Sequence, residues 1–426
     1  MSNIYIDVHQ LVTVGPNNMN RGEDGAPKTV TFGGVKRARL SSQSQKAAVR
    51  KHFFEVHGDR FTAIRSRKIP RLMAAELRVL DPSLSEQQSY EIIGCAVALL
   101  TSPKTPVALK DVQDKIKTIN ANNASGTTPS GKSSSKGREK AENFVPDLAA
   151  TFMVSADQAK QFAAVVKQYL DSGVDFVGDS DVAKNSALLK ELRASVDDGI
   201  TPDIALFGRM FASNHSLDSA ASVQTAHAFG VGAFVPEEDY FTAADDFAVQ
   251  TNSPTVKRFK DEVGVSDSGA DMLDRNQFTA GTMYRFSTLN FSHLSELMGD
   301  PDYAVEVARQ YLESFLRTLP EGAKNSYAQT ASAGTAVVSI RTQQPVNYVG
   351  AFEVPVSTHR EAKEVLAAYA QGYERMFGKG SDDVTFAMTL EGQEDFVSAL
   401  GADPGAYNMD SILNAVAKVL TALSQK

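Results

Sequence analysis

The sequence predicts an α+β protein in which a strand, a helix, two strands, a helix and a last strand form one module broken by two inserts. Three observations predict it. Residues 3 to 12, NIYIDVHQLV, alternate with the period two of a half-buried strand. Ala47, Ala48, Val49, Phe53 and Phe54 recur at near-helical spacing behind a run of serines. Far downstream, the strand-like stretches Gly281–Phe291 and Ala336–Thr342 flank a helix start at Asp300-Pro301, with Asp300 as N-cap and Pro301 at the first position.

In chain order, Ile4, Ile6 and Val8 share one face of the first strand, and Tyr5, Asp7 and His9 share the other, more open one. His9 reads there as structural or solvated, since no second His, Cys or acid stands at metal-ligand spacing. Gly15 to Pro27 is loop by its Gly, Pro and Asn content. An extended basic piece, Lys36 to Leu40, follows a Gly-Gly hinge and runs into Ser41-Ser42-Gln43-Ser44, which start a helix that lasts until Gly58. From 59 to 119 the pattern is helical, with apolar runs at Leu72–Leu80 and Ile92–Leu100 and a second basic cluster at Arg60, Arg65, Arg67, Lys68 and Arg71. That cluster either extends a phosphate track or solvates a helix. The single Cys95 lies in the second apolar run and reads as a buried helix residue. Residues 120–142 are low-complexity polar sequence, read as a loop. Helical spacing returns at 156–171 and 182–196, and the stretch from Asp203 reads as a strand ending at Arg209-Met210. After Pro301, the residues Tyr303, Val307, Tyr311 and Phe315 keep helical spacing, and further helices are expected near 359–377 and 408–424. With the inserts set aside, this is the split βαββαβ order of ferredoxin-like (RRM-like) folds.

The charge is unevenly placed. The formal net charge of the 426 residues is -8, yet Lys28 to Phe54 carries seven Lys/Arg and no Asp or Glu. A basic island on an acidic chain is an electrostatic footprint for an anion, phosphate above all. A helix start adds unpaired N–H groups and the positive end of its dipole. Ser42, Lys46 and Arg50 fall four apart and line one stripe, while Val49, Phe53 and Val56 line another that can face a core. Hydrophobic residues make up 42% and charged residues 22%, ordinary globular composition in a chain long enough for two or three packed units. Nothing approaches eighteen consecutive apolar residues or reads as a signal peptide, so a cytosolic protein is expected.

Asn20-Arg21, Lys28, Phe32-Gly33-Gly34, Lys36-Arg37-Ala38-Arg39 and Ser41-Ser42-Gln43-Ser44, in that order, resemble the N-terminal signature of the CasC-type backbone subunit of Cascade, the type I-E CRISPR surveillance complex. Arg209-Met210 and the stretch Tyr240 to Asp246 resemble later motifs, the second leading into an extended β-hairpin called the thumb. The match weakens through 247–277, where this chain reads Met272-Leu273-Asp274-Arg275. The resemblance implies a ferredoxin-like palm at 1–58 and 200–345, a helical finger insert at 59–199, a thumb hairpin at 224–280 and a mostly helical C-terminal segment at 346–426. It implies a non-catalytic scaffold without cofactor or metal. Copies would line up head-to-tail along the spacer of a CRISPR RNA, alongside other Cascade subunits, and meet target DNA through the guide, with no membrane partner. Arg21, Lys28, Lys36, Arg37, Arg39, Lys46 and Arg50 would then hold phosphates. Ser41, Ser42 and Gln43 would hydrogen-bond at the helix start, and Arg209, Met210 and Phe241 would contact RNA where palm meets thumb.

Two other classes are weighed. Gly126-x-x-x-x-Gly131-Lys132-Ser133 is a formal P-loop match, but no apolar strand precedes it and no helix start follows, as phosphate cradling requires. A Ser/Gly-rich loop produces such a match by composition. A metal-dependent ribonuclease would need a loop acid such as Asp274, and the sequence offers no paired carboxylates, HExxH or Cys/His cluster to support one.

Overall fold

The computed structural model describes residues 3–101, 105–125, 143–244, 253–263 and 270–425. It is a mixed α/β structure with antiparallel sheets, and the chain divides into two compact units. The first comprises Met1–Val49, Thr225–Thr288 and Ala308–Lys426; the second comprises Arg50–Gln224 and Leu289–Val307.

The first unit is built on a sheet with β1 (Tyr5–Asn17) in its interior, a strand that outlasts the alternating stretch and takes in the start of the expected loop. Its other strands are β2 (Thr29–Phe32), β3 (Val35–Leu40), β7 (Ala228–Gly230), β9 (Ala270–Asn290), β10 (Thr335–Arg341) and β11 (Val384–Thr389). Their order is β11-β10-β1-β9-β7-β3-β2. β1 and β10 run antiparallel from Tyr5↔Arg341 to Leu11↔Thr335, and β7 meets β9 at Phe229↔Tyr284. β6 (Val223–Thr225) and β8 (Glu237–Ala244) also pair with β9. The β8–β9 pair forms a two-stranded arm in register from Glu237↔Phe278 to Ala244↔Ala270, with a bulge between Ala243 and Ala244.

Both faces of β1 are covered, which corrects the expectation of an open face carrying His9. Asp7 and His9 are fully buried, because residues 346–373 of the C-terminal segment pack over them. Asp7 accepts from Arg341 Nε at 3.0 Å and the Val346 amide at 2.7 Å, and burial pushes its carboxyl up to about 6. His9 lies 4.2 Å centroid to centroid on the Tyr348 ring and shares a 2.9 Å hydrogen bond with the Tyr284 hydroxyl; burial holds its pKa well down. The C-terminal segment also adds β11 to the sheet edge. It is thus part of the core of this unit, and helix His359–Phe377 packs Leu366 and Ala370 onto Leu11 and Val337.

The second unit is chiefly helical: α1 (Ser42–His57) ends in it, followed by α2 (Ile69–Leu80), α3 (Glu86–Ala98), α4 (Thr105–Ser125), α5 (Ala156–Asp171), α6 (Ser186–Asp197) and α7 (Pro202–Phe207). Ser85 with Gln88 and Ser155 with Gln158 close capping boxes that fix the starts of α3 and α5. One core joins Met73, Leu77, Ile93, Cys95, Phe162 and Leu192, so Cys95 is the buried helix residue expected. β4 (Ile64–Ser66) and β5 (Phe152–Val154) form a separate two-stranded ladder. Residues 203–207 are helix where the sequence reads as strand. Thr201 takes extended N-cap angles, Pro202 fits the first turn and Asp203 is acidic there, start signals that outweigh an apolar run too short to reveal its period. No helix among the described residues is long and apolar enough to cross a membrane.

Candidate nucleic-acid interface

The basic island folds into a hairpin and a helix start. β2 and β3 are joined by Gly33-Gly34, with Phe32 opposite Val35 and φ of +58° and +75°. A two-residue turn with both residues at positive φ matches strand twist, and glycine alone adopts it without cost. The glycines are therefore a tight turn and not a hinge. An added Cβ on Gly33 would overlap the backbone carbonyl of Glu353, so the turn is also seated against that segment.

Along β3 the side chains part company. Lys36 is exposed, its ammonium 5.5 Å from the Phe234 ring centre. Arg37 is fully buried and donates to the carbonyls of Gly230 (3.2 Å), Val231 (2.6 Å), Phe352 (3.2 Å) and Glu353 (3.3 Å). The structure gives Arg37 an anchoring role in place of an open phosphate contact. Arg39 is half-buried, donates from Nε to Thr29 O at 3.2 Å and from its guanidinium to His227 Nδ1 at 2.9 Å. Burial, then the neighbouring Arg39 and Lys28, push the His227 pKa down, which marks three basic groups crowded together. Lys28 is half-exposed, its backbone paired to Asn20 and Arg39. Arg21 is exposed at a bridge to Pro27.

Ser41 is the cap of α1: its hydroxyl accepts from the Ser44 amide at 3.3 Å, and its own amide donates to Asn20 Oδ1 at 2.9 Å. Ser41 is buried in this role, whereas Ser42 is half-exposed and Gln43 exposed. Lys46 is half-buried one turn on, and partial desolvation lowers its pKa. Among the described residues, none of Arg21, Lys28, Lys36, Arg39 and Lys46 has a carboxylate at ion-pair distance, although the exposed Glu23 and Asp24 lie beside Arg21 in sequence. Unpaired cations beside a capped helix start suit a string of phosphates.

The other expected contacts lie elsewhere. Arg50 does not continue an open stripe: it ion-pairs with the buried Asp203 at 2.9 Å and donates to Ala63 O at 3.1 Å within the second unit. Val56, expected on the core face with Val49 and Phe53, is 56% exposed. Arg209 is buried and donates to Leu217 O (2.9 Å), Val196 O (2.6 Å) and Asp197 (2.9 Å). Burial lowers its pKa, and Asp197 opposes that shift. Met210 beside it is 71% exposed. Phe241 is half-buried on β8 directly opposite Asp274, so Asp274 is a strand residue and not a loop acid. Exposed Tyr240, Met272 and Leu273 on the same arm escaped the sequence reading because isolated apolar residues in a weak strand pattern carry no signal of exposure. In the second basic cluster, Arg71 forms a bidentate pair with Asp147 and Arg67 donates to Leu148 O, while Arg60, Arg65 and Lys68 are exposed. Among the described residues no group of three or more His, Cys, Asp or Glu is placed to hold a metal ion. The P-loop-like residues 126–133 lie outside the described residues.

An antiparallel sheet with a strip of cations at a helix start, none of them ion-paired to a carboxylate among the described residues, has chemistry that suits a polyanion. The chain belongs to the CT1975-like protein family, whose model matches residues 6–413. It is similar to a chain of a CRISPR RNA-guided surveillance complex, pre-nicking, at 26% identity and a TM-score of 0.72, covering 97% of this chain and all of that one. A chain of a second CRISPR RNA-guided surveillance complex shares the fold at 22% identity and a TM-score of 0.63, covering 96% and 99%. No curated protein matches.

Proposed function

We propose that this protein is a non-catalytic CRISPR RNA-binding backbone subunit of a Cascade surveillance complex, of type I-E by its N-terminal signature. The observation that carries the reading is the strip of Arg21, Lys28, Lys36, Arg39 and Lys46, unpaired with acids, around the Ser41-capped start of α1. Likeness to a CRISPR RNA-guided surveillance complex chain over nearly the whole length supports it. Phosphate contacts position a strand without reading it, which leaves its bases free to pair with target DNA. The strand order β10-β1-β9-β7, with α1 reached from β1 through the β2–β3 hairpin and another helix after β9, supports a ferredoxin-like palm. The β8–β9 arm then serves as the thumb. In this reading the protein works in the cytoplasm, polymerises head-to-tail along the spacer and has its copy number set by RNA length.

The test is RNA binding against salt. Replacing Lys28 and Lys46 by Ala should weaken binding to all single-stranded sequences about equally and lower the salt slope by roughly 0.7 for each lost phosphate contact. An unchanged slope, or particle mass by native mass spectrometry that ignores RNA length, would overturn the proposal.

A further inference from the structure

Arg285 on β9 is fully buried in the first unit, yet no carboxylate reaches it among the described residues. Its Nη1 donates to Gln10 Oε1 (2.5 Å) and to the carbonyls of Phe315 (3.1 Å) and Thr318 (2.9 Å), and its guanidinium carbon lies 4.3 Å from the Phe315 ring centre. Nη2 is buried without a partner. Nε donates to Gln45 Oε1 at 3.1 Å, and Gln45 in turn donates to Ala226 O at 3.0 Å and Ser41 O at 3.5 Å. A guanidinium taken out of water with only neutral dipoles around it retains its charge and its field, which low-dielectric surroundings screen poorly. Its pKa, lowered by burial to about 10, leaves it a cation at neutral pH.

We propose that Arg285 is a positioning residue for the RNA phosphate at the start of α1: through Gln45 it holds the Ser41 cap turn, and its uncompensated charge stands behind that turn. The inference rests on the RNA-binding reading above. Arg285 touches no phosphate; it makes the helix start more positive than its exposed side chains alone would. An anion bound there supplies the counter-charge that the core lacks, so RNA binding and burial of Arg285 stabilise each other.

The test compares Arg285→Lys, which keeps the charge, with Arg285→Gln, which keeps hydrogen bonding and loses it. The probe is an unstructured single-stranded RNA oligomer. Both variants should lower the melting temperature, but Arg285→Gln should weaken RNA binding about tenfold, the scale of one unit charge acting at effective interior dielectric, and Arg285→Lys by no more than about twofold. Equal losses in the two variants would mean a purely structural role and overturn the proposal, as would no loss in either. Should Arg285→Gln fail to fold, Gln10→Glu brings a carboxylate to the guanidinium from the β1 side; weaker RNA binding is expected, and unchanged binding overturns the proposal. Wild-type protein that binds no RNA would instead bring down the parent reading, which separates the two failures.

Discussion

Lys28 to Lys46 in the first unit and Val196 to Ser219 in the second both carry basic residues inside a motif, and the structure treats them oppositely. In the second region α6 ends at Asp197, and the last carbonyls of a helix lack partners. Gln158 Nε2 donates to Val196 O and Asp198 O, and Arg209 adds a donor to Val196 O and a charge for Asp197, so the arginine is consumed in closing a helix end. In the first region β2 ends the sheet order among the described residues, and no carboxylate there ion-pairs with Lys36 or Lys28. Arg37 alone finds a set of carbonyls and is drawn in. The difference teaches that a cation's availability for a ligand depends on whether the fold leaves orphan acceptors within its reach, not on the density of charge around it.

The largest expected effect is at Arg209. Arg209→Ala should cost about 3 kcal/mol in denaturant unfolding, since it strips donors from buried carbonyls and an ion-pair partner from Asp197. Once the folded fraction is corrected for, its RNA affinity should match wild type; a specific RNA defect would erase the contrast between the regions. Next is Gly33→Ala, which forces Ala to positive φ against Glu353 and should destabilise by about 2 kcal/mol. If stability measured by thermal melting holds, the hairpin is not seated as described. Lys46→Ala should do the reverse of both, changing stability by less than about 0.5 kcal/mol while lowering RNA affinity and its salt slope. The smallest effect sharpens the electrostatics of the strip. His227 has a lowered pKa and is neutral at neutral pH; as pH falls through that pKa it gains a charge that a phosphate favours. RNA affinity should therefore rise about threefold as pH falls from neutral to below the ordinary histidine range, and His227→Ala should remove the rise. A pH-independent affinity in the wild type would put His227 outside the strip.

Local signals were legible and long-range ones were not. The helix at 156–171 matches its sequence reading to the residue, because a capping box and a full apolar stripe lie within it. The Ser41 cap and the Asp300 cap, which accepts from the amides of Asp302 and Tyr303, are equally local. By contrast, Arg37 looked like one more phosphate ligand, since the carbonyls of Phe352 and Glu353 that claim it lie more than 300 positions away. Asp203 looked like the start of a strand, and nothing nearby announced that Arg50 and the Ala63 amide would converge on its carboxylate.

By itself the sequence determined where the capped helices begin and the concentration of cations ahead of a helix start. Periodicity and capping act over a few residues, and the information for them is contiguous. Only the tertiary structure decided which of those cations face solvent, that Asp7 and His9 are sealed beneath the C-terminal segment, and that Arg285 is buried without a counter-charge. Those outcomes depend on acceptors and covering faces brought in from hundreds of residues away, where a one-dimensional pattern holds no record of distance.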